Sequence, residues 1–285
     1  MEAGNGASLK RAISRFAPDM RGFAETEAVD ACDQSTVFDL LGDLVAWLDH
    51  LGIKRAAVVG HDWGAEIAWG ITLLRPDRFC AVTTLSVPFT PRGPMSLPAV
   101  VRAMAPPDFY MLYFLEEGRA EVELDADPKT FLRCLYYTNS GEVPGNAVPE
   151  MRLAANGRLT DGLLEPPGAM CCLPDEHLDL YARAFERTGF RGAQNTYRSL
   201  HRTWELMAGW TDRTIEVPSF YICADRDPIF HLPVMQAVIK AILHILPDAE
   251  SSVVVEEVGH FIQMERPELT AVLLVDFLNR RHPDQ

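Results

Sequence analysis

The chain has 285 residues, 48% of them hydrophobic, which favours one α/β domain with an insertion over two equal domains. Lys+Arg 26 against Asp+Glu 40 gives a net charge of −14, which argues against nucleic acid or an anionic membrane surface as a partner. The 6 cysteines have no zinc spacing, and neither a bilayer-length apolar run nor a signal-peptide core is present, so a cytoplasmic protein with reduced thiols is expected. Residues 1–14 are polar and Gly-rich, then helix-like, and Phe16 reads as a strand end running into a loop. Ser35 to Leu51 is an amphipathic helix with Val37, Leu40, Leu41, Leu44, Val45, Leu48 and Leu51 on one face and Asp33 or Ser35 as cap. Ala56 to Val59 reads as a buried strand that stops at Gly60. A helix then starts at Gly64, with Ile67, Ala68, Ile71 and Leu74 on one face, and ends near Pro76. Cys80 to Leu85 is the next strand.

Six prolines between Pro88 and Pro107 then change the texture. From there to about Leu206 the sequence is helix and loop, with its best helices at Leu178–Phe190 and Gln194–Met207. Strand character returns at Ser219–Cys223, followed by a helix at Val234–Leu246, a strand at Ser252–Val255, a loop at Val258–Phe261 and a helix at Pro267–Leu278. Strand and helix alternate on both sides of the insertion, which implies a mostly parallel sheet with helices on its faces. The expected division is a core of residues 1–88 and 207–285 with a helical lid of residues 89–206.

Asp62 sits on a sharp strand-to-helix turn with a glycine two positions away on each side. This is the nucleophile-elbow pattern with aspartate in the place of serine. Asp62 alone reads equally as a helix N-cap, Asp227 as a turn residue before Pro228, and His260 as a loop histidine. All three follow strands, in the order nucleophile, acid, histidine, and sites in such sheets form at the carboxyl ends of strands. A carboxylate nucleophile displaces at saturated carbon and leaves an alkyl ester, which disfavours esterase and peptidase chemistry. His260 would activate the water that hydrolyses the ester, Asp227 would orient it, and the Trp63 N–H would face the oxyanion.

Ala17-Pro18-Asp19-Met20-Arg21-Gly22-Phe23, Gly60-His61-Asp62-Trp63-Gly64, Ala224-Asp225-Arg226-Asp227 and Gly259-His260-Phe261 with Glu265-Arg266-Pro267 resemble the α/β-hydrolase epoxide hydrolases over nearly the whole chain. The resemblance implies the α/β-hydrolase fold, a small apolar epoxide as substrate, and no metal or organic cofactor. It also implies two lid tyrosines that bind and protonate the epoxide oxygen. Asp108 to Phe114 resembles the segment of the first, Tyr110 by register over Tyr113. Phe190 to Arg198 resembles that of the second, at Tyr197. Trp63 is expected at the pocket wall, and Phe114, Leu115, Met170 and Leu173 as apolar lid residues, Phe114 in contact with substrate. The elbow and histidine motifs are shared with haloalkane and haloacid dehalogenases, whose lids offer N–H donors to a halide; Trp204 and Trp210 are the candidates here. A ligand-binding remnant without catalysis is the third reading.

The family carries a His-Gly-x-Pro turn and further strands ahead of the Ala-Pro-Asp-x-Arg-Gly segment. This sequence has no His-Gly pair. The expectation is a core lacking its N-terminal strands and its second oxyanion donor, with impaired activity; removing one such donor costs about 10²–10³ in rate.

Overall fold

The computed structural model describes residues 13–27, 31–145, 148–246 and 252–281. In chain order the elements are α1 (Val37–His50), β1 (Ala56–His61), α2 (Trp63–Leu74), β2 (Phe79–Leu85), α3 (Leu97–Met104), α4 (Tyr110–Leu115), α5 (Arg119–Leu124), α6 (Pro128–Thr138), α7 (Asp175–Thr188), α8 (Arg191–Arg198), α9 (Leu200–Leu206), β3 (Ser219–Ala224), α10 (Pro228–His231), α11 (Pro233–Ile245), β4 (Val253–Val255), α12 (Ile262–Glu265) and α13 (Pro267–Arg281). Of the stretch 1–14 expected to be polar and then helix-like, residues 1–12 lie outside the described part. No helix among the described residues is long and apolar enough to cross a membrane.

Among the described residues four strands pair in parallel in the order β1-β2-β3-β4. The alternation of side chains along β2 assigns its two faces to different layers. Val82 packs with Ala68, Trp69, Ile242 and Leu246 on one side, whereas Ala81 and Leu85 pack with Ile262 and Phe277 on the other. Each fully buried Val, Leu, Ile or Phe among these stabilises the fold by roughly 1.5–3 kcal/mol. Strand β2 is buried throughout, which is why its sequence shows no polar alternation. Among the described residues β1 pairs only with β2, and its Val59 is exposed.

The strand expected to end at Phe16 is not formed: residues 13–20 are irregular. No sheet edge pairs with them, Pro18 offers no N–H, and Phe16 instead sets its ring edge-on against Trp47 at 5.4 Å. Arg21 holds this segment to α1 through a two-pronged ion pair with Asp43 at 2.5 and 2.6 Å. The cap of α1 is Thr36, rather than Asp33 or Ser35, because only Thr36 completes a reciprocal box with Asp39.

Helices α3–α9 all fall between β2 and β3. A separate apolar cluster lies within them, built on Tyr113, Phe114, Leu124, Phe131, Leu173 and Leu178. The helix expected over Gln194–Met207 is two helices divided at Ser199.

Candidate active site

The elbow is strained at Asp62. Asp62 has φ 51° and ψ −117°, and its side chain makes no capping hydrogen bond to α2. A non-glycine residue there is costly by about 1–3 kcal/mol and persists only where its surroundings fix it. The Asp62 N–H donates to Leu85 O at 3.3 Å, tying the turn to the end of β2. Gly60 is required, because a Cβ on it would stand 2.0 Å from Gly64 O. Asp62 is therefore displayed at the carboxyl edge of the sheet with its side chain 36% accessible, and the capping interpretation does not hold.

The other two residues come to it from loops after β3 and β4. His260 Nε2 is 3.4 Å from Asp62 Oδ1, and His260 Nδ1 is 3.1 Å from Asp227 Oδ1. Asp227 is fully buried and caps α10 by accepting from the Ile229 N–H at 2.9 Å. Asp225 plays the turn role: its Oδ1 accepts from the Val258 N–H at 3.3 Å. The histidine loop is gripped from two sides. The His260 N–H donates to Asn139 O at 2.7 Å, and the Glu265 carboxylate accepts from the N–H groups of Gly141 and Gly259. A Cβ on Gly259 would lie 2.3 Å from Asn139 O, so only glycine fits where this loop meets the residues following α6. Arg226, beside the acid, donates to Gly141 O and Val143 O at 2.6 Å.

Charge is organised around the imidazole. Burial alone would push His260 down; the charge and hydrogen bond of Asp227, joined by those of Asp62, outweigh it and raise the ring to about 10. Burial would likewise raise Asp62, but the hydrogen bond and charge of His260, with His61 and the Trp63 N–H, bring it down to about 2. Asp227 is held below the usual carboxylate range by His260 despite its burial. The resting site therefore holds an imidazolium between two carboxylates. His61, whose Nε2 lies 2.8 Å from His260 O, is pushed down to about 4 by burial and by the neighbouring imidazolium, so it stays neutral. Glu66, one turn along α2, is accessible to solvent, yet the depth of protein around it and the charge of Asp62 push its carboxyl up to about 7.

Tyr110 and Tyr197 reach the same place from α4 and α8. Their rings stand 6.3 Å apart at 90°, and Tyr197 packs edge-on against Trp63 at 4.6 Å. Burial and the charge of Asp62 push the Tyr110 hydroxyl upward; burial, Tyr110 and Asp62 do the same to Tyr197, so both remain protonated donors. Tyr113 points elsewhere. Its hydroxyl donates to Glu123 Oε2 at 2.7 Å inside the helical cluster. Phe114 is buried against the rings of Tyr110 and Tyr197 at 5.5 and 5.0 Å. Met170 and Leu173 are also buried filling of that cluster. Arg198, next to Tyr197, is fixed by a buried pair with Glu121 at 2.5 Å, which sets the position of α8. The Trp204 N–H donates to Gly93 O at 2.9 Å, so it is not poised for a halide, and the Trp210 ring packs on Phe38.

One polar neighbour has no counterpart in the sequence reading. Ser86 Oγ lies 3.0 Å from His260 Nδ1. The available signal was a lone serine directly after β2, at the edge where the other site residues gather. Among the described residues no cluster of potential metal ligands is found.

A sequence model of the alpha/beta hydrolase fold matches residues 10–267. Epoxide hydrolase A of Mycobacterium tuberculosis is 37% identical over 263 residues, covering 91% of this chain and 80% of its own length. Epoxide hydrolase 3 of Siraitia grosvenorii is 37% identical over 269 residues, covering 93% of this chain and 83% of its own. Among solved structures, an epoxide hydrolase from an endophytic Streptomyces superposes with a TM-score of 0.85 at 35% identity, covering 92% of this chain and 79% of that one.

Proposed function

We propose that this chain, which belongs to the α/β-hydrolase fold family and to its epoxide hydrolases, opens a small apolar epoxide to a vicinal diol through a covalent ester on Asp62. Residues 89–206 act as the lid that brings the two phenols over the nucleophile.

In the first half, the hydroxyls of Tyr110 and Tyr197 donate to the epoxide oxygen while an Asp62 oxygen attacks a ring carbon. The C–O bond breaks, and one phenol gives its proton to the departing oxygen. Alkylation removes the charge of Asp62, one of the influences that holds His260 protonated. The imidazolium then releases its proton, which restores the phenol, and becomes a base. In the second half, His260 takes a proton from water and the hydroxide adds to Cγ of Asp62. The Trp63 N–H, one of the influences that hold the Asp62 carboxyl low, faces the oxyanion. Collapse expels the diol oxygen, which takes the proton from His260. The acid proton left on Asp62 then returns to the imidazole, restoring the resting charges.

The observation that carries this reading is the pair of protonated phenols set against the elbow that bears Asp62. A dehalogenase would need N–H donors there, and the indole N–H of Trp204 is engaged with Gly93 O. The test is the intact mass of the protein after brief mixing with an aryl epoxide and acid quench. An adduct of one substrate mass, absent in Asp62→Asn, is expected; folded protein that yields neither adduct nor diol overturns the reading.

A further inference from the structure

Ser86 occupies a place that an ordinary loop serine does not. Its φ is 73°, a left-handed value in a non-glycine residue, and the Val87 N–H donates to Leu85 O at 2.9 Å across it. A bond closing over one residue of positive φ is the γ-turn of the rare, strained kind. Three further bonds hold the strain. The Ser86 N–H donates to Ile222 O at 2.9 Å, the Tyr221 hydroxyl donates to Ser86 O at 2.7 Å, and the Asp62 N–H donates to the same Leu85 O. One carbonyl thus joins the Ser86 turn to the nucleophile elbow. The result of the turn is to bring a buried hydroxyl back over the end of β2 to within 3.0 Å of His260 Nδ1, alongside Asp227 Oδ1 at 3.1 Å. Asp227 Oδ2 is buried with no hydrogen-bond partner among the described residues.

Building on the ester mechanism above, we propose that Ser86 is a positioning residue of the relay: its oxygen shares the Nδ1 proton of His260 with Asp227, while its hydroxyl proton faces the Asp227 carboxylate. The strained turn is retained because an unstrained chain would carry the hydroxyl away from the ring. Ser86 then limits rotation of the imidazole about its bond to the loop and helps keep a fully buried carboxylate ionised, which is reflected in its part in holding Asp227 low. The charged or titratable groups facing the imidazole are Asp62 from the start of α2, Asp227 after β3 and His61 from β1, whose ring is 4.6 Å away.

Ser86→Gly separates this role from a structural one, because glycine relaxes the turn while removing the hydroxyl. The expected result has three parts. Thermal stability is equal or higher, hydrolysis of the Asp62 ester is slower by roughly tenfold, as for loss of one hydrogen bond to a charged group, and His260 titrates at lower pH by NMR of the histidine ring. Ser86→Ala, which keeps the strain, is expected to show the same rate and titration with lower stability. Unchanged ester hydrolysis and an unchanged His260 titration in Ser86→Gly overturn the proposal, as does a rate that merely follows stability across the two variants. The titration is read without substrate. A wild-type protein that forms no diol therefore defeats the ester mechanism, while the Ser86–His260 relation is still decided by the spectrum.

Discussion

His260 Nε2 lies 3.4 Å from Asp62 Oδ1, with its other ring nitrogen against buried Asp227. At that separation the nucleophile is held by charge more than by a short hydrogen bond, so it is free to move onto a substrate carbon. The same contact reverses meaning during the cycle. In the proposed cycle it adds to the pull of Asp227 that raises His260 before alkylation, and its loss afterwards favours release of the proton.

Removing either partner should therefore stop the reaction at a different point. Asp62→Asn is expected to form neither adduct nor diol. His260→Gln should still be alkylated but should hold the ester, losing at least about 10² in turnover, the scale of one general base. Quenched-flow mass measurement distinguishes the two: a long-lived adduct in His260→Gln and none in Asp62→Asn.

The two phenols should behave unlike the third. Tyr110→Phe and Tyr197→Phe should each slow alkylation, and the double variant should lose about 10²–10⁴, the range for general acid catalysis. Tyr113→Phe should keep wild-type turnover and lose about 1.5–3 kcal/mol of stability, since its hydroxyl bonds the Glu123 carboxylate in the helical cluster. Single-turnover rates and denaturant melts of the four variants check this contrast.

Stability should carry the sign of the site's titrations. His260 is raised from 6.5 to about 10, so its contribution is fully present below about 6.5 and is lost as pH rises through about 10. Asp62, lowered to about 2, contributes above 3.8 and fails as pH falls through about 2. Melting temperatures of wild type and His260→Gln should accordingly converge between pH 6.5 and 10. A gap that stays constant over that range would contradict the assignment.

Arg198 anchors the helix that carries Tyr197 through its buried pair with Glu121. Removing the guanidinium in Arg198→Met leaves a buried carboxylate alone and should cost about 3–5 kcal/mol. Because α8 also presents Tyr197, the alkylation rate should fall with stability, whereas Arg202→Met, at an exposed surface pair, should change neither.

Much of this site was legible from the chain because its residues follow strands. The run Ala56–Val59, a glycine and a new helix placed Asp62, and the returns of strand pattern at Ser219 and Ser252 placed Asp227 and His260. Tyr110 was separable from Tyr113 only by resemblance of its segment, and geometry then sends Tyr113 to Glu123. Ser86 was marked only by its place directly after β2, since its turn rests on bonds with Tyr221 and Ile222, far along the chain. Nor could sequence show that Phe16 stays out of the sheet, because strand pairing is decided by which edge the segment reaches.

The covalent role of Asp62 is tested most directly by one turnover in ¹⁸O-water with enzyme in excess over epoxide. The account predicts that the first diol carries unlabelled oxygen taken from Asp62, and that the peptide containing Asp62 gains the ¹⁸O label. Label in the first diol with none in that peptide would mean that water attacks the epoxide directly, and would contradict it.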